Sequence, residues 1–212
     1  MNRRIISVAT VLGLTVWVHA ARAQRQVEGT VIVSDSMPVV RIALDSSLTY
    51  VGTQTVMLSG KTHAEQHFFV EAEDTRIKRL YWLQFEGKPA GSGRPYTYSS
   101  DPTIKFGGQE FRTNLRYYPT SGFAGRRGSD GDRAQQLLER EGYTLGTALM
   151  RVRLVWLLGQ PAWNELMIIY LEDLGDHGLT VDVLRSDPER WEQVAAELES
   201  RALGGMRLTP HP

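Results

Sequence analysis

Residues 39–86 contain four runs rich in β-branched and aromatic side chains: "VVRIAL" (39–44), "LTYVGTQTVML" (48–58), "QHFFVEA" (66–72) and "IKRLYWLQFE" (77–86). Such a composition suits a pleated, half-buried surface. The connections "DSS", "SGKT" and "EDT" are far too short for a parallel crossover, which takes a dozen or more residues. Consecutive hairpins are therefore predicted, and with them an antiparallel meander.

Two long loops follow, "GKPAGSGRPYTYSSDPT" (87–103) and "PTSGFAGRRGSDG" (119–131), around the tyrosine-rich stretch 104–118. Loops of this length in a compact domain are functional or mobile. Ser129 with Asp132 three residues on opens a helix that has Ala134, Leu137 and Leu138 on its apolar face and stops at Gly142. "ALMRVRLVWLL" (148–158) and "NELMIIYLEDL" (164–174) flank the turn "GQPAW". Apolar residues on both faces of this hairpin place it centrally in a sheet covered on each side. A last helix is expected with a capping box of Ser186 and Glu189 around Pro188, and with Trp191, Val194, Ala195 and Leu198 on one face. "RLYWL" (79–83) and "RLVWL" (153–157) are alike, but their surroundings differ, which argues against duplication. The predicted class is α+β: an antiparallel sheet, flat or curled towards a barrel, with two helices packed on it.

The N-terminal segment has Arg3 and Arg4, an apolar run of 14 residues from Ile5 to Val18, then Ala21-Arg22-Ala23. That is the pattern of a cleavable secretory signal. The run falls short of the ~20 residues of a permanent membrane anchor. The paired arginines lack the rest of a twin-arginine pattern, which favours general secretion. Residues 1–23 are read as the signal and 24–212 as one domain, large enough for its own core. The chain has no cysteine, which rules out a thiol nucleophile, a lipid-modified N-terminal cysteine, thiolate metal sites and disulfides. Export without disulfides fits a bacterial periplasm.

In a strand, His63, Glu65 and His67 of "THAEQHFF" share one face. Histidines four apart lie ~13 Å from each other along a strand, so a solvated strand face is expected and no metal. No Gly-x-Ser-x-Gly, Ser-x-x-Lys or His-Glu-x-x-His motif occurs, and "GSGRP" lacks the spacing of a phosphate loop. "GSDGD" lacks the further ligands of a calcium loop. The carboxylate pairs Glu71/Glu73 and Glu172/Asp173 lie near strand ends, where solvated acids are the rule. No cofactor is implied.

Charge is unevenly distributed. Residues 76–133 carry 11 basic and 5 acidic side chains, net +6, whereas 24–75 are net −4 (3 against 7) and 134–212 net −5 (7 against 12). The sum for residues 24–212 is −3, which argues against a nucleic-acid partner. Arg94, Arg112, Arg116, Arg126 and Arg127 lie in or beside the long loops. They form either an anion-binding rim or, as the preferred expectation, ion pairs with the acidic ends of the chain.

In "RLYWLQFEG", Tyr81, Leu83 and Phe85 form a core face. Leu80, Trp82, Gln84 and Glu86 form a second face that mixes apolar bulk with an amide and an acid, the makeup of a pocket wall. Trp82, Gln84 and Glu86, with Arg151 or Arg153 to balance the acid, are the candidate ligand-binding residues. The functional expectation is an exported cell-envelope module holding a small apolar or anionic ligand without catalysis. The alternatives are an envelope hydrolase using carboxylate or histidine acid–base chemistry, and a structural or interaction module. Oligomeric state is not legible in the sequence.

Overall fold

The computed structural model describes residues 25–89, 91 and 93–211; the expected signal segment lies outside them. Twelve strands and three α-helices run β1 (Arg25–Glu28), β2 (Val31–Asp35), β3 (Val39–Leu44), β4 (Thr49–Leu58), β5 (Thr62–Glu73), β6 (Arg76–Gly87), β7 (Thr103–Phe106), β8 (Gln109–Pro119), α1 (Asp130–Arg140), β9 (Thr144–Leu145), β10 (Ala148–Leu158), β11 (Asn164–Asp173), α2 (Val181–Ser186), α3 (Pro188–Gly204) and β12 (Met206–Pro210). The strands form two sheets. The large one has the order β4-β5-β6-β11-β10-β8-β7, with β9 paired to β6, and the small one the order β1-β2-β3-β12. The α+β class holds, the pairing is antiparallel except for the two-residue parallel contact of β9 with β6, and neither sheet closes into a barrel.

"SGKT" and "EDT" close hairpins as expected, but "DSS" does not: β3 belongs to the small sheet and β4 to the large one. A three-residue link serves a corner as well as a hairpin, and Leu44 and Leu48 on either side of it are both buried in the core shared by the two sheets. The β10–β11 hairpin is central, paired to β8 on one side and β6 on the other.

The large sheet is covered on both faces. On the first, Tyr81, Leu83 and Phe85 of β6, Met150 and Val152 of β10 and Ile168 of β11 pack against Ile32, Ile42 and Leu208 of the small sheet and Val194 and Leu198 of α3. The Tyr81 hydroxyl donates to the Ala202 carbonyl (2.7 Å) and pins the end of α3 to the sheet. An added Cβ at Gly205 would run into that hydroxyl. On the second face, Phe68, Leu80, Trp82, Ile169 and Leu171 pack against Ala134, Leu137 and Leu138 of α1. The Ser129 side chain caps α1 at the Asp132 amide, and Gly142 follows its end at φ +86°. The cap of α3 is Asp187, whose side chain accepts from the Arg190 amide, not Ser186. Pro188 takes the first helical position and so moves the cap to the residue before it. The Ser186 hydroxyl instead donates to Val183 O at the end of the short helix α2.

Candidate functional site

Alternation along each strand decides which side chains meet on the α1 face, and register decides their neighbours. Four rows cross the sheet on this side. Leu80, Leu171, Arg151 and Arg116 form one; Trp82, Ile169, Arg153 and Asn114 the next; then Gln84, Met167, Val155 and Arg112; and last Glu86, Glu165 and Leu157. Two of these rows put like charges on directly opposed residues: Arg116 against Arg151, and Glu86 against Glu165. Opposed residues have Cβ atoms ~5 Å apart, and like charges there are destabilising. The acid pair cannot neutralise the arginine pair. Glu165 and Leu171, which mark the two rows on β11, are six residues apart, or ~20 Å along a strand.

The loop between β6 and β7 roofs the acid end. Its Tyr96 amide donates to the Ala162 carbonyl (2.8 Å). The Tyr96 hydroxyl donates to Glu86 Oε2 (2.8 Å) and the Tyr98 hydroxyl to Glu165 Oε1 (3.0 Å). Glu86 also ends a row of amides. Gln54 Nε2 donates to Gln66 Oε1 (2.7 Å), Gln66 Nε2 to Gln84 Oε1 (2.6 Å), and Gln84 Nε2 to Glu86 Oε1. Burial raises the pKa of Glu86 despite these donors. Glu165 is 1% exposed; burial, together with the charge of Glu86, pushes it up to about 8. Both acids thus resist ionisation, Glu165 the more strongly, while each accepts a tyrosine hydroxyl and Glu86 the Gln84 amide besides.

At the basic end, Arg153 Nη2 donates to Asp101 Oδ2 (2.9 Å) and its guanidinium carbon lies 5.2 Å from the Tyr98 ring centre. Arg112 reaches the Asp101 backbone carbonyl (3.3 Å), and Arg151 the Asn114 amide oxygen (2.9 Å), with the Tyr118 ring 5.9 Å from its guanidinium carbon. Burial lowers the Arg151 pKa, and repulsion from Arg153 and Arg116 adds to the effect. Among the described residues, Arg94, Arg112, Arg116, Arg126, Arg127 and Arg151 have no carboxylate within 4.0 Å. The preferred expectation, that the loop arginines pair with the acidic ends of the chain, is thus overturned. The acids of those ends have partners closer by: Glu65 holds Arg25 (2.5 Å), and Glu172 holds Arg201 (2.8 Å) and His177 (2.7 Å).

Trp82, Gln84, Glu86, Arg151 and Arg153 do share this one face, with β11 running between the two groups. Trp82 is 2% exposed and packs against Phe68 and Phe123, at ring separations of 5.7 and 6.2 Å. Arg153 is balanced by Asp101 rather than Glu86, because the rows of Arg153 and Glu86 are four residues apart on β11, ~13 Å. Buried side-chain atoms without a hydrogen-bond partner cluster here: Trp82 Nε1, Arg151 Nε, Arg153 Nε and Glu165 Oε2. Three of the four are N–H donors. Beside the face, a surface groove of about 440 Å³ is lined by Tyr96, Arg112, Val155, Leu157, Pro161 and Ala162. Sequence reasoning missed Glu165, Tyr96, Tyr98 and Asp101. The alternation of Glu165, Met167, Ile169 and Leu171 was a readable signal; the pairing of β11 with a strand some eighty residues earlier was not.

The opposite face carries the other charged clusters. His67 Nε2 lies 2.8 Å from Glu65 Oε1, and the Tyr50 hydroxyl 3.2 Å from His67 Nδ1. His63 is exposed. Among the described residues no three His, Asp or Glu side chains converge on a point where a metal would sit. Glu172 of this face and its neighbour Asp173, which alternation turns to the α1 face, are expected in solvent but are 5% and 4% exposed because Arg201 and Arg76 cover them. Comparison with models of known families, with curated proteins and with solved structures finds no match for this chain.

Proposed function

We propose that this chain is an exported cell-envelope binding protein that holds a small anionic ligand, without catalysis, at the arginine-bearing end of the α1 face. The observation that carries the reading is the Arg116–Arg151 pair, opposed across two strands with Arg153 two residues on and no carboxylate on either member of the pair among the described residues. A fold tolerates such repulsion where an anion relieves it. The unpartnered N–H groups of Trp82, Arg151 and Arg153 would suit acceptor oxygens. In the next row, the groove at Arg112, lined also by Glu110 and by a wall of Val155, Leu157, Pro161 and Ala162, has the size and mixed lining of a small-molecule site. A carboxylate, sulfonate or phosphate head on a modest apolar body matches that lining.

The test is calorimetric titration of the mature protein, at constant ionic strength, with short alkyl carboxylates, sulfonates and phosphates. Saturable binding is expected, weakened at least ~10-fold, or about 1.4 kcal/mol, in Arg151→Met, and weakened in Trp82→Phe with little change in melting temperature. Equal binding by wild type and Arg151→Met, or none by either, would sink the reading. Peptide sequencing of the same preparation should find Gln24 at the N-terminus if the export signal is cleaved as proposed.

A second reading, an envelope hydrolase, is supported by the opposed Glu86 and Glu165 and the high pKa of Glu165. Tyr96 and Tyr98 occupy one oxygen of each acid, which is why binding is preferred. Hydrolysis of a glycoside or ester panel that disappears in Glu165→Gln would reverse that preference.

A further inference from the structure

We infer that the free edge of the large sheet, strand β4, is a self-association surface on which a second copy of this chain pairs antiparallel about a two-fold axis. Both sheets present edges, and three of the four edge strands carry features that discourage pairing. β7 has four residues and Lys105; β1 has four, bounded by Arg25 and Glu28; β12 has five, with Arg207 and a terminal Pro210. Shortness, charge and proline are the usual protections of an edge. β4 has ten residues and none of these protections. No charged residue occurs between Asp45 and Lys61. A register shift between Tyr50 and Gly52 bends its first part, which leaves Thr53–Leu58, "TQTVML", as a regular run of β-forming, uncharged residues. Its pairing groups on the open side face no other strand of the sheet.

Side chains around this edge agree with burial by a partner. Thr53, Thr55 and Met57 point to the small-sheet face and are exposed, so the small sheet does not reach over β4. Met57 is 46% and Met37 54% exposed, two of only four large apolar side chains exposed among the described residues. Met37 and Thr55 line one depression of about 370 Å³ together with His63 and Phe85. A two-fold axis normal to the sheet at Thr55 keeps both faces continuous, sets Thr55 of the two copies side by side and places Met57 of each copy opposite Thr53 of the other. That contact covers a methionine otherwise exposed to solvent, and a methionine adapts well to an irregular seam. The argument for a second copy over a foreign strand is charge. An edge without charge meets its own copy with no like-charge contact in any register, and this edge is neutral along its whole length.

Sedimentation velocity of the mature protein over a concentration series tests this. A reversible dimer is expected. Thr55→Lys, at an exposed side chain, should weaken it at least ~10-fold by setting two ammonium groups across the axis, while Thr103→Lys on β7 leaves it unchanged. Circular dichroism melts confirm that both variants fold. A monomer at every concentration, a dimer indifferent to Thr55→Lys, or open-ended growth in place of a dimer would each overturn the inference.

Discussion

The two faces of the large sheet treat charge in opposite ways. Towards the small sheet and α3, three partly buried acids each have a cation against them: Glu65 with Arg25, Glu71 with Arg79, Glu172 with Arg201. Burial is the largest single influence on Glu65 and Glu172 and works against their charge, yet His67 with Arg25, and Arg201 with Tyr170 and His177, together outweigh it and hold both carboxyls below their ordinary range. Towards α1, Arg153 has Asp101 and Asp173 has Arg76, but Glu86 is set against Glu165 and Arg116 against Arg151; Glu86 and Glu165 are raised and Arg151 is lowered. The first pattern fastens layers together. The second leaves interaction energy unused within the chain, as expected of a surface arranged for something outside it.

The sharpest way to break this contrast is Arg201→Met. It removes both guanidinium bonds from a carboxylate whose side chain is only 6% exposed. Because Arg201 is partly exposed and His177 stays on the carboxylate, a cost of ~2 kcal/mol is expected, that of hydrogen bonds to a charged group, read as a melting temperature ~4–8 °C lower in a domain of this size. A depressed carboxyl stabilises above its ordinary pKa, and that stability is lost as pH falls through the folded value. The wild-type decline in acid should therefore be shallower in the variant. A melt within 2 °C of wild type would mean that this face is not fastened by its charges.

Next in size is Glu165→Gln. With the folded pKa raised to about 8 and the unfolded one ~4.3, the folded state keeps a proton that the unfolded state has released. Wild-type stability should fall as pH rises between those values. The amide removes that slope, and at pH 8 the variant should exceed wild type by at least ~1 kcal/mol, or ~2–4 °C. Melts from pH 5 to 9 check it, and a flat wild-type profile would contradict the acid pair. The smallest effect is expected from Arg116→Thr, which relieves the opposed arginines at an exposed position. Urea unfolding should show a gain of ~0.2–1 kcal/mol, whereas an equal loss would indicate that Arg116 is already satisfied.

Much of the architecture was legible because it is local. The hairpins at "SGKT", "EDT" and "GQPAW", the Ser129 cap and the buried central pair follow from short connections and alternation. The corner at "DSS" was not, since three residues fit a hairpin or a change of sheet alike. The small sheet also escaped reading: β12 joins β3 across some 160 residues, and both strands are short. Of the site, the shared face of Trp82, Gln84 and Glu86 came from alternation alone. What opposes what did not. Arg116 meets Arg151, and Glu86 meets Glu165, only because β8, β10, β11 and β6 adopt one particular register, and register is set by long-range packing.

The glutamine row on the α1 face has a direction. Each amide donates towards Glu86, and the first, Gln54, spends its remaining N–H on the Arg133 carbonyl of α1 (2.8 Å). No single amide can turn alone, because that would set N–H against N–H on one side and oxygen against oxygen on the other. Acceptors hold the row at both ends: Glu86 beneath the tyrosine loop, and the Arg133 carbonyl, which has no proton to give, two strands away. A proton placed on the Glu86 oxygen facing Gln84 would set donor against donor there, while an inverted row would set the Gln54 oxygen against the Arg133 oxygen. Loading one end therefore leaves the row no satisfied arrangement, and a buried acid and the first turn of α1 feel the same misfit.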